Sequence, residues 1–448
     1  MTIVISIIVV LIILGILSAA HELGHFFAAR SLKVKAFEVS IFVGPTLFKW
    51  RKKDVDYSIR SIPVGAYVRF NDIDNEGNPI VNDDPDLLVN QPRWKRLLIA
   101  LAGPMVNLLL GVIIFMIFYC CAGYVTLKLQ PTEEGTQLYG LSYDVGDEIV
   151  AVNGWRVYTE DEFVIYDSFM DYKADTVLTL KSAETGEKYD ITLRPEFSTK
   201  ARFGITRNTA LNEEYNGWDV TEVDKEQNDG KPILKAGDVV LAVDGVKVSD
   251  AEKIDKYLDE RDPSDVVSVT YIRDGQEYTS DIKMFPAQVI NEKGIVLEKH
   301  KIRSVGEFLE AGSIAVKMPL SVIRMTGLVI KNFFKGDVEA YQVLSGPVGV
   351  VNVVDTVVAD ERAETGLKVT TLIFLAGMIS VALTISNLLP LPGLDGSQII
   401  ILFVELISGR KLSLKVENII SVVGFFVLLF LVIAAFASDI IRIVVEGW

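Results

Sequence analysis

Apolar residues fall along this chain in four long blocks separated by polar sequence. The first, Thr2 to Ala20, carries no charge and is long enough to cross a bilayer as a helix. The second runs from Leu97 to about Val125, behind Arg93, Lys95 and Arg96. The third, from about Val369 to Leu389, breaks in the stretch Asn387 to Gly396, where two prolines and two glycines cannot continue a straight helix. The fourth runs from Asn418 to about Ile441. Between the first two blocks, Phe37–Phe48 and Tyr57–Phe70 alternate apolar and polar positions and are punctuated by Gly44-Pro45 and Pro63-Val64-Gly65. That pattern predicts short strands in a small sheet packed against the membrane. Asp72–Pro92 is polar, with Gly, Asn and Pro throughout, and predicts a loop.

From Lys128 to about Pro286 the composition is that of a soluble protein, and it holds an internal repeat. Val145-Gly146-Asp147-Glu148-Ile149-Val150-Ala151-Val152-Asn153-Gly154 recurs as Ala236-Gly237-Asp238-Val239-Val240-Leu241-Ala242-Val243-Asp244-Gly245. In each copy a Gly-Asp turn opens an apolar strand that closes in an Asn-Gly or Asp-Gly turn. The pattern resembles bacterial PDZ domains in tandem, over 126–207 and 208–300, although the loop that should hold a peptide carboxylate is recognisable in neither copy. PDZ domains bind extended peptides by adding a strand to a sheet edge. Ser304–Phe334 has helical apolar periodicity with isolated charges, which predicts an amphipathic helix on the membrane surface, kinked at Pro319. Val343–Val350 predicts a turn-rich link, so that 301–368 reads as surface helix and linker.

Bulk composition supports the membrane reading. Hydrophobic residues make up 50% and mean hydropathy is +0.33. A formal charge of −15 argues against nucleic acid as a partner. The two cysteines, Cys120 and Cys121, are adjacent within an apolar run, so there is no disulfide framework. Basic residues sit at both ends of the 31–92 segment: Arg30, Lys33 and Lys35, then Lys49, Arg51, Lys52 and Lys53, and finally Arg93, Lys95 and Arg96. They place this loop in the cytoplasm. Arg410, Lys411 and Lys415 mark a second cytoplasmic turn between the segments 369–409 and 410–448. Four spans then leave both termini and the central β region outside.

The chemistry is concentrated at Ala20-His21-Glu22-Leu23-Gly24-His25. Continuing the first helix puts His21 and His25 on one face, one turn apart. Two neutral imidazoles so placed can bind one metal ion, and Glu22 can act on a metal-bound water, the H-E-x-x-H pattern of zinc metalloproteases. Ionisable side chains inside apolar sequence mark a functional site by default. Ser18-Ala19-Ala20 imitates a signal-peptide cleavage site, but no Lys or Arg precedes the apolar run, which also exceeds a signal core in length. Only three histidines exist and two are here. A catalytic zinc takes three protein ligands, and the remaining histidine, His300, lies outside the spans. A carboxylate is therefore the expected third ligand, and Asp395 is the acidic residue in the third membrane segment, on the same cytoplasmic side as the histidines. Asn107 is a polar outlier in the second span; its pattern fits helix–helix hydrogen bonding and a role at the active site equally.

Five segments in this order resemble the bacterial site-2 protease family of intramembrane metalloproteases. They are His21–His25, Ile62–Val68, Ala102-Gly103-Pro104 with Asn107, Ser345-Gly346-Pro347, and Asn387–Gly396. The resemblance implies a polytopic α-helical membrane protein with a membrane-associated β region and two PDZ-like domains, in the inner (cytoplasmic) membrane. It implies Zn2+ held by His21, His25 and Asp395, with Glu22 as general base. It also implies that Asn387, Pro390 and Pro392 help hold an unwound substrate strand. Its expected partners are membrane lipid and single-pass membrane proteins, such as anti-sigma factors or signal-peptide remnants, with the PDZ-like pair outside as a size filter. Ala66 and Ser397 depart from the family pattern, where glycine is more usual. Two other classes fit parts of the sequence: an inactive membrane-tethered PDZ scaffold, and an ion transporter using midplane carboxylates, although no inverted repeat is visible.

Overall fold

The computed structural model describes residues 2–446 apart from 72–82, 213, 344, 361–362 and 411–413. The loop expected over 72–92 lies outside the described residues as far as residue 82, and so do Leu344 and Lys411. The helices are α1 (Thr2–Ser31), α2 (Arg93–Ala122), α3 (Glu160–Ser168), α4 (Ala251–Asp259) and α5 (Val305–Lys335), followed by α6 (Pro347–Ala359), α7 (Thr365–Leu388), α8 (Asp395–Ser408) and α9 (Leu414–Glu446). Among the described residues, five stretches are long and apolar enough to cross a membrane: α1, α2, α5, α7 and Val422–Val444 of α9. The additional one is α5, which the sequence places on the surface.

The strands after α1 differ from expectation. In place of several short strands there are two long ones, β1 (Glu38–Lys52) and β2 (Val55–Arg69). The start of β1 lies between the two ends of β2, with Glu38 opposite both Arg69 and Asp56, and Ile41 opposite both Ala66 and Ile59. The turnover comes at Phe42 and Gly44, both with positive φ, so two chain segments form a sheet four strands wide. Its apolar side covers the end of α1 through Val39, Val55 and Phe26.

Helix α2 stops at Ala122, short of the Val125 expected from hydropathy. Gly123 has φ 84°, and a Cβ there would lie 2.4 Å from the carbonyl oxygen of His300. The chain turns there into β3 (Tyr124–Leu129). This strand joins Leu297–His300 on one side and Glu148–Val152, Thr176–Lys181 and Lys188–Leu193 on the other. The second sheet runs Gln276–Lys283, Val266–Arg273, Val239–Val243, Trp218–Val223, Ile205–Leu211, and a two-stranded ribbon of Phe197–Arg202 with Phe285–Ile290 connects the two. The second β domain is therefore nested in the first. The expected boundary of 208–300 is corrected at its end, because Leu297–His300 pairs with β3 and closes the first domain.

Helix α5 is capped by Ser304 and Glu307 in a capping box and continues through Pro319. Ala311, Ala315, Met318 and Val322 pack on Phe115 and Tyr119 of α2 and Val381 of α7. Glu310 accepts from Tyr124 Oη at 2.9 Å, and Arg324 Nε donates to Glu162 at 2.5 Å. These two residues, about 21 Å apart along the helix axis, both hold the first β domain. Of the turn-rich link expected at 343–350, residues 347–350 are instead the start of α6. Buried Asp439 of α9 caps that helix, accepting from the N–H groups of Gly346 and Val348 at 2.9 and 3.1 Å.

Candidate active site

The apolar run of α1 ends in its polar turn, and α7 ends at Leu388 because the Pro390-Leu391-Pro392 stretch cannot continue it. Helix α8 then restarts with Asp395 in its first turn. The restart brings three ligand atoms together. Asp395 Oδ2 lies 3.0 Å from His21 Nε2 and 3.3 Å from His25 Nε2, and the two Nε2 atoms are 3.2 Å apart. Among the described residues this is the His/Cys/Asp/Glu group able to hold a metal ion. The donor set fits zinc: with bonds of about 2.0–2.1 Å, tetrahedral ligands stand about 3.3 Å apart. Asp395 Oδ2 is buried without a well-aligned hydrogen bond. Two imidazole nitrogens and a carboxylate oxygen that converge in this way are placed to hold one cation between them.

The surroundings fix these groups. His25 Nδ1 lies 2.7 Å from the Ile99 carbonyl, which sets the proton on Nδ1 and leaves Nε2 free for metal. Glycine is required at 103, since a Cβ there would lie 2.3 Å from His25 Nε2. Glu22 Oε2 accepts from the backbone N–H of Val68 at 3.0 Å, so the end of β2 is held at the site. Glu38 in turn binds the sheet together: Arg60, Tyr67 and Ser58 donate to its Oε1.

A cleft of about 710 Å³ opens beside the site, lined by Glu22, His25, Val68, Pro392, Asp395 and Gln398 among others. Of the three residues expected to hold substrate, Pro392 lines this cleft. Asn387 is half-buried in the last turn of α7 and Pro390 is exposed; neither is among the lining residues. His300 stacks on Tyr124 in the first β domain, away from the site. Neither the Ile99 carbonyl nor the Val68 N–H is legible in the sequence, because backbone groups carry no residue signature. A larger groove, about 1010 Å³, lies in the second β domain. It runs between edge strand Ile205–Leu211 and helix α4, with Gly204, Ile205, Arg207, Asp255 and Leu258 on its walls. Phe203 and Gly204 immediately precede that strand, and Ile205 opens it.

The family model described as peptidase family M50 matches residues 9–431. A protein of Vibrio cholerae that carries the name zinc metalloprotease is 29% identical, the alignment covering 97% of this chain and 98% of the relative. One from Neisseria meningitidis with the same designation is 27% identical over 96% and 97% of the two chains. Zinc metalloprotease RasP of Shouchella clausii is 24% identical over 96% and 97%.

Proposed function

The chain belongs to peptidase family M50 and is a zinc metalloprotease, and from that premise we propose that it cleaves single-pass membrane proteins within the bilayer at the site formed by His21, Glu22, His25 and Asp395. The observation that carries this reading is the convergence of the three ligand atoms at 3.0–3.3 Å with Glu22 beside them. When bound, zinc polarises a peptide carbonyl and lowers the pKa of a water towards about 7. His21, His25 and Asp395 hold it. Glu22 takes the proton of the attacking water and passes it to the leaving amine. The Val68 N–H keeps the Glu22 carboxylate oriented for both transfers. Substrate lies in the cleft as an unwound strand, its open backbone groups met by the edge of the β1–β2 sheet and its path bounded by Pro392. Asn387 and Pro390 act on the shape of the α7–α8 break.

The same reading assigns four spans, α1, α2, α7 and α9, with the 31–92 loop cytoplasmic and both β domains outside. Helix α5 then lies along the membrane surface, because Glu310 and Arg324 at separate heights of the helix both serve the first β domain. The PDZ-like domains limit access to substrates whose outer part has been trimmed. Anti-sigma factors and signal-peptide remnants are the substrate classes this arrangement suits.

The test is a membrane-anchored reporter cleaved in cells. Glu22→Gln is expected to keep its zinc and to lose cleavage by about 10²–10⁴-fold, as removal of a general base does. Asp395→Asn is expected to lose both. Cleavage by Glu22→Gln at the rate of the parent would sink the assignment.

A further inference from the structure

Beyond the three ligand atoms, two buried polar groups near the site make no hydrogen bond among the described residues. One is Nδ1 of His21 and the other is the side-chain amide of Asn107, neither of whose polar atoms makes a hydrogen bond. Asn107 is fully buried, and His21 is 7% exposed. Their placement connects them. Ile99, Gly103 and Asn107 lie at successive four-residue steps on one face of α2. Ile99 serves His25 through its carbonyl. Gly103 faces the two rings, with His21 Cε1 2.9 Å from the position of an added Cβ. Asn107 is the next step, about 6 Å farther along the axis, and α1 and α2 run antiparallel, so His21 is the histidine on its side.

We propose that Asn107 is the positioning residue of His21: its side-chain carbonyl accepts the Nδ1–H of His21, directly or through one buried water. The inference rests on the metal-site reading above and assigns the half of the outer shell that the Ile99 carbonyl does not fill. A histidine that binds metal through Nε2 carries its proton on Nδ1, and such a proton is almost always given to an acceptor that fixes the ring. A buried amide without partners is otherwise costly. The helix–helix role is filled by other groups: Ser380 and Thr384 of α7 reach the backbone carbonyls of Asn107 and Pro104 at 2.7 and 3.2 Å. Neither His21 nor Asn107 lines the substrate cleft, so the amide acts from behind the ring and not on substrate.

The full-length protein in detergent is titrated with zinc against a competing chelator, and the melting midpoint of the zinc-free form is followed alongside. Asn107→Leu is expected to weaken zinc binding by about 10–100-fold while leaving the zinc-free midpoint unchanged or higher. Asn107→Asp, which keeps an acceptor in place, is expected to stay within a few-fold of the parent. Asn107→Ala replaces the leucine variant if that one does not fold. Parent-like zinc affinity in the leucine or alanine variant, or an equal loss in Asn107→Asp, overturns the proposal. A parent protein that binds no zinc would instead fail the metal-site reading itself.

Discussion

The two β domains share one sequence repeat and differ in what their helices contact. In both, the residue closing the repeated strand has positive φ and clips the neighbouring strand: Asn153 Oδ1 accepts from Val177 N–H, and Asp244 Oδ1 from Ser268 N–H, each at 2.7 Å. The helices that follow part company. Helix α3 of the first domain carries Glu162, 2% exposed, into contact with α5, where Arg324 and Ser321 donate to it. Helix α4 of the second domain packs beside the Phe197–Arg202 strand and leaves one flank on an open groove. A shared strand pattern thus fixes the domain's frame, while a few helix residues decide whether it is anchored on α5 or borders an open groove.

The anchor gives the largest expected effect. Arg324→Ala leaves the Glu162 carboxylate buried with only neutral donors (Trp155, Tyr158 and Ser321), which for a buried pair broken on one side costs about 3–5 kcal/mol. Glu162→Ala is expected to cost less, since Arg324 is a quarter exposed, can reach water and still stacks on Trp155 at 4.5 Å. An exposed pair in the second domain, Lys283 with Asp229, should be worth at most about 1 kcal/mol. Denaturation of the three variants checks the order. A smaller loss in Arg324→Ala than in Lys283→Ala would remove the anchor from the comparison.

This contrast shows what the sequence could carry. The apolar helices α1, α2, α7 and α9 were legible from their length, the convergence of the histidine pair with Asp395 because charge inside apolar sequence is improbable without a function, and the repeat because two copies reinforce each other. The nesting was not, since the strand Leu297–His300 holds no turn signal and its pairing with β3 spans about 170 residues of chain, a contact no local pattern records. Helix α6 was missed because Gly346-Pro347 reads equally as a turn and as a helix start, and the group that decides, Asp439, is far away in sequence. Asn107 was noticed as an outlier, but its orphaned state is a property of packing alone.

The repeat's Gly-Asp turns sharpen the comparison at intermediate size. Asp238 pairs with the Arg273 guanidinium through two contacts, at 2.7 and 2.6 Å, whereas Asp147 accepts from Tyr189 and from the N–H groups of Ala183 and Asp144. Burial pushes the Asp147 carboxyl up, but those three donors outweigh it and hold it below the ordinary value. A depressed carboxyl stabilises the fold above its unfolded pKa of about 3.9 and loses that contribution as pH falls through the folded value. Melts of the parent between pH 7 and pH 3 should therefore show the first domain losing stability at the acid end, and Asp147→Asn should flatten that loss at a cost of about 1.5–3 kcal/mol at pH 7. An unchanged acid limb in Asp147→Asn would exclude this carboxylate as its source.

The smallest expected effect on the chemistry comes from removing the second domain altogether, and nesting makes that operation clean. Arg202 and Phe285 are paired opposite one another on the connecting ribbon, so a short Gly-Ser turn can join them in place of 203–284. The first domain keeps its Leu297–His300 strand and its Glu162 anchor. Every metal and acid–base residue proposed lies in α1 and α8, outside the excised part. Zinc content and cleavage of a substrate with a trimmed outer segment should accordingly stay within a factor of a few of the parent. If the domain acts as a size filter, a substrate that retains a bulky outer domain should be cut faster. The groove beside Gly204 and Ile205 raises the competing outcome. If that groove holds a chain end against the edge strand, excision slows the trimmed substrate and leaves the bulky one unchanged. Comparing the two substrates in one variant, with zinc content as the control for folding, decides whether the second domain works by its bulk or by its groove.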